Sequence, residues 1–217
     1  EERLGHSHAL SLASASQLAL ALQMQGKLKE AEHLYRRALM SLDGVQGSAH
    51  RDTVTSRNNL AALLQDRGEQ TAAEALYRQS AEACEAAFGI SHPSTVACLN
   101  NIGSLLKSQE RFDEAEVVFR KLEEALRAQL GENHAQTLAS LSSLASVLKA
   151  QDKYDEAEVC CREVLAGREA SLGHSHPDTV AAANALASHL NGAGKYAQAA
   201  PLFQRALAEY EASLGPE

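Results

Sequence analysis

Histidine recurs at a fixed interval along this chain, and an imidazole can ligate a metal ion or transfer protons near neutral pH. The recurring residues, each 42 positions from the next, are His8, His50, His92, His134 and His176. Two of them also end His-x-His sequences, His6-Ser7-His8 and His174-Ser175-His176. Equivalent residues of successive repeats lie much farther apart than the roughly 4 Å across a zinc site. The spacing therefore predicts no metal site, and we expect each histidine to cap a helix or pack in a loop.

Nucleophilic catalysis would need a cysteine or serine placed beside a histidine and a carboxylate. The sequence has no Gly-x-Ser-x-Gly elbow, no phosphate-binding loop and no Cys-x-x-Cys pair. Cys84, Cys98, Cys160 and Cys161 follow no metal-binding or secretory spacing, and a bond between the adjacent pair would be strained. We therefore predict a protein that is not an enzyme and has no cofactor. Its thiols would be free in a reducing cytoplasm.

Composition excludes two classes of partner. The formal charge is -8 and the basic residues form no stripe, which disfavours binding to nucleic acid. No apolar run approaches the roughly 20 residues of a membrane span, and the first residues carry no signal sequence. The sequence therefore predicts a cytoplasmic protein that does not bind membranes. Abundant alanine and leucine with few aromatic residues favour helices.

The strongest pattern in the sequence is an internal repeat of 42 residues. Glycine occurs at this interval without a slip, at Gly5, Gly47, Gly89, Gly131, Gly173 and Gly215. The period predicts one array over residues 1–217, with five repeats at 5–46, 47–88, 89–130, 131–172 and 173–214. Repeats of this kind stack because no single unit buries its apolar face alone. We therefore predict an all-α solenoid.

Each repeat reads as two amphipathic helices, A and B. In the third repeat, His92-Pro93-Ser94-Thr95 begins helix A, which runs with helical apolar spacing to about Ser108. The polar link Gln109-Glu110-Arg111 precedes helix B, which begins at Phe112. A glycine in the left-handed conformation is expected to end each helix B.

Positions for small residues and positions for large residues both recur inside the repeats. Helix A carries the Leu-Ala pair of Leu18-Ala19, with equivalents in every repeat. Helix B opens with a small residue, at Ala31, Ala73, Ala115, Ala157 and Ala199. Large side chains should fill the space beside these crossings, at Tyr35, Tyr77, Phe119 and Phe203. Cys161 takes the aromatic slot of the fourth repeat, where we expect a buried structural thiol.

The motifs resemble the 42-residue tetratricopeptide repeats (TPRs) of kinesin light chains and nephrocystin-like proteins. They stand here as Leu172-Gly173 with His176-Pro177-Asp178-Thr179, as Asn58-Asn59-Leu60-Ala61, as Gly194-Lys195-Tyr196, and as Tyr35-Arg36-Arg37-Ala38-Leu39. The resemblance covers nearly the whole chain. It implies a right-handed solenoid whose concave groove, lined by helix A, holds an extended peptide of a protein partner.

The resemblance also implies which residues line that groove. The helix-A asparagine that grips a peptide main chain matches Asn58, Asn100 and Asn184, with Ser142 in the fourth repeat. An amide suits this task because it offers a donor and an acceptor together. Further positions on the same face are Ser104 and Ser146, then Gln65, Lys107, Lys149 and Asn191. The two lysines would attract a partner that carries Asp or Glu.

Two alternatives remain open at this stage. The asparagines could serve only to satisfy neighbouring helix ends or solvent. The array could also be a structural spacer or a self-association segment of a larger protein, because the end faces of such an array are adhesive and favour end-to-end stacking.

Overall fold

The computed structural model describes residues 9–214, with side chains described for residues 14–212. Within this range the chain forms ten α-helices and no strand. Helices of the A type span 16 residues, and they are α1 (Ala9–Met24), α3 (Arg51–Asp66), α5 (Pro93–Ser108), α7 (Ala135–Ala150) and α9 (Pro177–Gly192). Helices of the B type span 19 residues, and they are α2 (Leu28–Gln46), α4 (Gln70–Phe88), α6 (Phe112–Leu130), α8 (Tyr154–Leu172) and α10 (Tyr196–Leu214). The all-α, helix-turn-helix repeat fold expected from the sequence is confirmed.

The recurring histidine caps helix A wherever the structure describes it. Nδ1 of His50, His92, His134 and His176 accepts a hydrogen bond from the backbone N–H two residues later, at 3.2 to 3.3 Å. This bond satisfies one of the donors that a helix start leaves without an intrahelical partner. The expected capping role is therefore confirmed for these four residues. His8 lies outside the described residues.

A glycine ends each described B helix before the next A helix, but not in the expected conformation. Gly47, Gly89, Gly131 and Gly173 have φ between +84° and +91° and ψ between 164° and 170°. The prediction of a left-handed helical residue is correct for φ and wrong for ψ. This extended positive-φ region is open essentially to glycine alone, so the requirement for glycine is stricter than expected. Gly5 and Gly215 lie outside the described residues.

A threonine fixes this B-to-A turn in two repeats. Oγ1 of Thr95 donates to the carbonyl of Gly89 at 2.8 Å, and Oγ1 of Thr137 donates to the carbonyl of Gly131 at 2.9 Å. Both threonines are buried. In these two repeats, the threonine three residues after the capping histidine therefore ties the start of helix A to the end of the preceding helix B. The equivalent hydroxyls of Thr53 and Thr179 are buried without a partner among the described residues.

The A-to-B turn uses positive φ as well, at another position of the 42-residue period. Gly26, Gly68 and Gly194 adopt φ between 75° and 81°, whereas the third and fourth repeats place Glu110 and Asp152 there at φ 59°. The following N–H reaches back five residues, as from Arg111 to the carbonyl of Leu106 at 2.9 Å. This bond is typical of the Schellman motif, which closes a helix C-terminus.

The contact pattern divides the chain into two units, Glu1–Leu105 and Leu106–Glu217. In the first unit, α1 packs on α2, α2 on α3, and α3 on α4. In the second unit, α6 to α10 pack in sequence order, each on the next. No described helix is both long enough and apolar enough to cross a membrane.

The expected crossing points and ring slots form the core of both units. The five alanines that open helix B are fully or almost fully buried, and so are Tyr35, Tyr77 and Phe119. Two expectations are wrong: Leu18 is 53% exposed and Phe203 is 36% exposed. Both residues lie on terminal helices of the described range, where no further described helix covers them.

Ion pairs link each B helix of the second unit to the next B helix or to the residue just before its start. Lys153 Nζ contacts Glu116 at 2.8 Å, Arg120 contacts Glu156 at 2.7 Å, and Lys195 contacts Glu158 at 2.8 Å. Glu116 also pairs with Arg120 one turn along its own helix. Hydrogen bonds from these cations, mainly from Lys153, lower the pKa of Glu116 to about 2.

Candidate functional site

The first unit carries four of the predicted binding residues on two helices. Asn58 and Gln65 are half-buried on α3, Asn100 is half-buried on α5, and Ser104 is exposed on α5. Only Asn58 has a described side-chain contact that joins two helices. Its Nδ2 donates to Sγ of Cys98 on α5 at 3.6 Å, while its Oδ1 is buried without a partner.

The second unit carries the other six residues on three helices. Lys107 lies at the end of α5, and its Nζ donates to Oγ of Ser146 on α7. Ser142 donates to the carbonyl of Leu138 in its own helix at 2.9 Å. Lys149 lies in the last turn of α7 and forms no ion pair with another described residue. Asn184 and Asn191 are exposed on α9.

Three of these residues meet in a pocket of about 360 Å³ between α7, α8 and α9, called here the α7–α9 pocket. Helix α7 contributes Ser142, Ser146 and Lys149. Asn184 and Asn191 do not line the pocket, although they lie on α9. The structure therefore brings together the predicted residues of the fourth repeat and leaves those of the fifth on the open surface.

The rest of the pocket wall includes residues that the sequence analysis did not assign to the site. Helix α8 contributes Cys161, Val164 and Arg168, and α9 contributes His189 together with a group of alanines. Ser188 of α9 also lines the pocket, and its place on this face is expected because it is the fifth-repeat equivalent of Ser146. Comparison with the other repeats could have found two of these residues. The slot of His189 holds Leu63, Leu105 and Val147 in the three preceding repeats, and all three are fully buried.

Arg168 is a second exception to the repeat pattern. Its slot holds Leu42, Cys84 and Leu126 in the first three repeats, and all three are buried. Nη1 of Arg168 donates to the backbone carbonyl of Asp178 in the first turn of α9 at 2.7 Å. The described residues give Arg168 no carboxylate partner, so its charge is not neutralised by an ion pair.

The electrostatics of the pocket are positive, because Lys149 and Arg168 line it and no Asp or Glu does. His189 is 7% exposed, and its Nδ1 has no hydrogen-bond partner among the described residues. Burial lowers the pKa of His189, and the nearby Lys149 lowers it further. His189 is therefore a neutral, polar group at neutral pH.

The thiol in the pocket is not suited to nucleophilic chemistry. Burial raises the pKa of Cys161 to about 12, so the thiolate is scarce at neutral pH. The expected burial of Cys161 is confirmed. Among the described residues, no cluster of three His, Cys, Asp or Glu side chains could hold a metal ion.

Comparison with known families and structures agrees with this architecture. Tetratricopeptide repeat models match residues 52–128 and 136–212, and a further one matches residues 11–39. No curated protein sequence matches the chain.

Solved structures of low sequence identity share the fold. A kinesin light chain-like protein of nearly identical TPR-like repeats from Podosopora anserina is 23% identical, with a TM-score of 0.79 over 94% of this chain and 96% of that chain. BtubC (BKLC) from P. vanneervenii is 21% identical, with a TM-score of 0.80 over 96% of this chain and 83% of that chain. A Rap protein, solved in complex with Competence and Sporulation Factor, is 16% identical, with a TM-score of 0.66 over 93% of this chain and 54% of that chain.

TPR arrays are generally scaffolds for protein–protein interaction. With its 42-residue period, its paired helices and the matches that span most of its length, this chain belongs to the tetratricopeptide repeat family and has the fold of kinesin light chain-like repeats.

Proposed function

We propose that this chain binds an extended segment of a protein partner along the faces of its A helices. The observation that carries the proposal is the α7–α9 pocket, because Ser142, Ser146 and Lys149 of the predicted face line it. Concave sites lined by a few polar groups on packed helices are the usual form of a ligand site. The Rap protein that shares the fold was solved with a bound factor, which supports the same use of this architecture.

The predicted residues have different roles in this proposal. In the first unit, Asn100 would hydrogen-bond the main chain of a partner, and Gln65 and Ser104 would add polar contacts. In the second unit, Asn184 and Asn191 would do the same. Asn58 contributes less, because its amide nitrogen is engaged by Cys98 and its oxygen is buried. Lys107 and Lys149 would favour a segment that carries Asp or Glu.

A peptide array of random 12-residue segments tests the proposal, with each bound segment then measured by fluorescence anisotropy. The variant Asn100→Ala/Asn184→Ala should bind these segments at least about tenfold more weakly than the parent chain, since two backbone hydrogen bonds are lost. The control is Gln129→Ala, which removes an exposed amide from a B helix and should bind normally. Circular dichroism verifies that all three proteins are helical. Equal binding by all three, or no binding by the parent, would reject the proposal.

Self-association is a second candidate function, favoured by apolar side chains on α10. Leu207 is 57% exposed, whereas Leu165 in the same slot of the preceding repeat is 8% exposed. Such a face stacks against another apolar surface. Sedimentation velocity over a range of concentrations should show association by the parent and a monomer for Leu207→Glu. A parent chain that stays monomeric at every concentration would exclude this function.

We also propose that this binding protein has no enzymatic activity and works in the cytoplasm. Four free cysteines, three of them buried, fit a reducing compartment.

A further inference from the structure

Three residues that depart from the repeat pattern line one pocket. Cys161 replaces the aromatic ring of the first three repeats, Arg168 replaces a buried small or aliphatic residue, and His189 replaces a buried Leu or Val. Two of these residues lie on α8 and one on α9, yet all three line the α7–α9 pocket. The other repeats act as an internal control, since they show what the same slots contain when they serve packing alone.

Cys161 explains why the pocket has room for a ligand. A protein interior is close-packed, and the equivalent slots are filled by the buried rings of Tyr35, Tyr77 and Phe119. A cysteine side chain leaves most of a ring's volume empty. Val164 and three alanines of α9 line the same space, so the wall offered to a ligand is largely apolar.

Arg168 and His189 explain what kind of group belongs there. Burying a polar side chain without a hydrogen-bond partner is unfavourable, and Nδ1 of His189 is in that state beside the ammonium group of Lys149. Lys149 and Arg168 have no carboxylate partner among the described residues, although most arginines of the second unit are paired with glutamate. A ligand that brings a negative charge would balance the charges of Lys149 and Arg168 and would give Nδ1 of His189 a hydrogen-bond acceptor.

We propose that the α7–α9 pocket binds a carboxylate attached to an apolar body about the size of one aromatic ring. The ring occupies the space beside Cys161 and Val164. The carboxylate accepts hydrogen bonds from Lys149 and from the Nδ1–H tautomer of His189, while Arg168 adds positive charge to the site. The same chemistry is offered by a free aromatic acid and by an aromatic residue at the C-terminus of a partner segment. This pocket also carries the proposed function, but its occupation by such a ligand does not depend on that function, because it requires no extended peptide.

The first experiment titrates the chain with 3-phenylpropanoate and follows the imidazole signals of His189 by NMR. The matched probes are 3-phenylpropanamide, which lacks the charge, and acetate, which lacks the ring. Each should bind at least about tenfold more weakly than 3-phenylpropanoate, because each lacks one of the two features that the pocket recognises. Equal binding of the acid and the amide, or no change at His189 with any probe, overturns the proposal.

A second pair of probes identifies the source of the carboxylate. Gly-Gly-Gly-Phe with a free C-terminus is compared with the same peptide amidated at its C-terminus. Tighter binding of the free peptide than of 3-phenylpropanoate indicates a chain terminus as the natural ligand, whereas weaker binding indicates a free acid. Both results support the pocket chemistry. A peptide array that gives bound segments while every aromatic acid fails would leave the proposed function standing and reject this inference.

Variants that restore the repeat pattern separate binding from folding. Cys161→Phe fills the pocket with the ring of the other repeats and should abolish binding without lowering the thermal midpoint. His189→Val copies Val147, so it should weaken binding about tenfold and raise the thermal midpoint. Lys149→Gln should weaken binding, and Lys27→Gln removes one exposed charge outside the pocket and should have no effect. Parent-like affinity in Cys161→Phe would place the ligand elsewhere and refute the proposal.

Discussion

The amide nitrogen of Asn58 donates to the sulfur of Cys98 at 3.6 Å, which joins α3 to α5 within the first unit. Cys98 is fully buried, and a hydrogen bond also links its thiol to that of Cys84 on α4. An asparagine that the resemblance assigns to peptide binding is thus part of a polar contact between helices.

Asn58→Ala should therefore lower the free energy of unfolding by about 1 kcal/mol, the usual net value of one hydrogen bond. The measurement is urea unfolding followed by circular dichroism. Cys98→Ala should give a larger loss, because it also removes the contact with the thiol of Cys84 and leaves a small cavity. The double variant should lose less than the sum, because both changes remove the contact between Asn58 and Cys98. A stable Asn58→Ala protein that no longer binds peptides would show instead that the residue belongs to the binding face.

Glu110 holds a backbone conformation that suits glycine better. Its φ is 59°, whereas Gly26, Gly68 and Gly194 occupy the same slot in other repeats. Glu110→Gly should raise the free energy of unfolding by about 0.5–1 kcal/mol, because the relief of left-handed strain exceeds the entropy that glycine adds to the unfolded chain. The opposite change, Gly68→Ala, should destabilise the fold. Thermal unfolding measures both, and a lower midpoint for Glu110→Gly would contradict the assignment of strain.

Gly131 should tolerate substitution less well than Gly68. A Cβ at Gly131 would contact nothing within 4 Å, so any cost comes from the backbone alone, at φ 91° and ψ 164°. This region is more restricted than the left-handed helical one, and we expect Gly131→Ala to cost about 1–3 kcal/mol. Urea unfolding of the two Gly→Ala variants compares the turns directly. Equal losses would show that the two turns demand glycine to the same degree.

Another residue that accepts a hydrogen bond at the start of α7 should be able to replace His134. His134→Ala removes the acceptor for the N–H of Gln136, and we expect a loss of about 1 kcal/mol. His134→Asn keeps an acceptor at the cap and should retain most of the stability. A loss of equal size in both variants would indicate that the ring, and not its acceptor nitrogen, is what the helix start requires.

Glu116 should make the free energy of unfolding of the second unit depend on pH in the acidic range. Its pKa is lowered from the ordinary 4.5 to about 2, so its contribution is complete above pH 4.5 and is lost as the pH falls through about 2. The side chain is 14% exposed and its partner Lys153 is 40% exposed, so solvent screening limits the contribution to about 1 kcal/mol. Urea unfolding of Glu116→Gln should show this deficit at pH 6 and almost none near pH 2. Glu124→Gln, an exposed change on the same helix, is the control.

The sequence predicts the elements well because their signals are local. Pro93 and His92 mark the start of α5, Ser108 ends it, and Phe112 begins α6, all as expected. The backbone conformation of Gly131 is harder to predict from sequence, because a glycine at a helix end indicates a positive φ but does not specify ψ. The burial of Leu18 and Phe203 was predicted wrongly, because the position of a residue in the repeat does not show whether a neighbouring helix covers its side chain.

The candidate site is harder to predict, since its residues are brought together from three helices. The ion pairs that link successive B helices of the second unit join residues 36 to 40 positions apart, an offset that the 42-residue period does not reveal. Arg168 and His189 were missed for a different reason. The predictions from sequence used the residue types that the repeats share. Arg168 and His189 differ from the residues at the equivalent positions of the other repeats, and both line the α7–α9 pocket.

The turn from helix B to helix A has a consequence for how such a chain can evolve. At each described turn, a glycine of nearly identical backbone conformation is followed three residues later by a capping histidine. A gene segment of 42 codons that begins at any of these glycines therefore encodes a module with matching ends. Unequal crossing-over in register can add or delete a module without creating a new junction, so array length is free to change. The module that carries Cys161 and Arg168 would lose Ser188 and His189 from the wall of its pocket when the module after it is replaced.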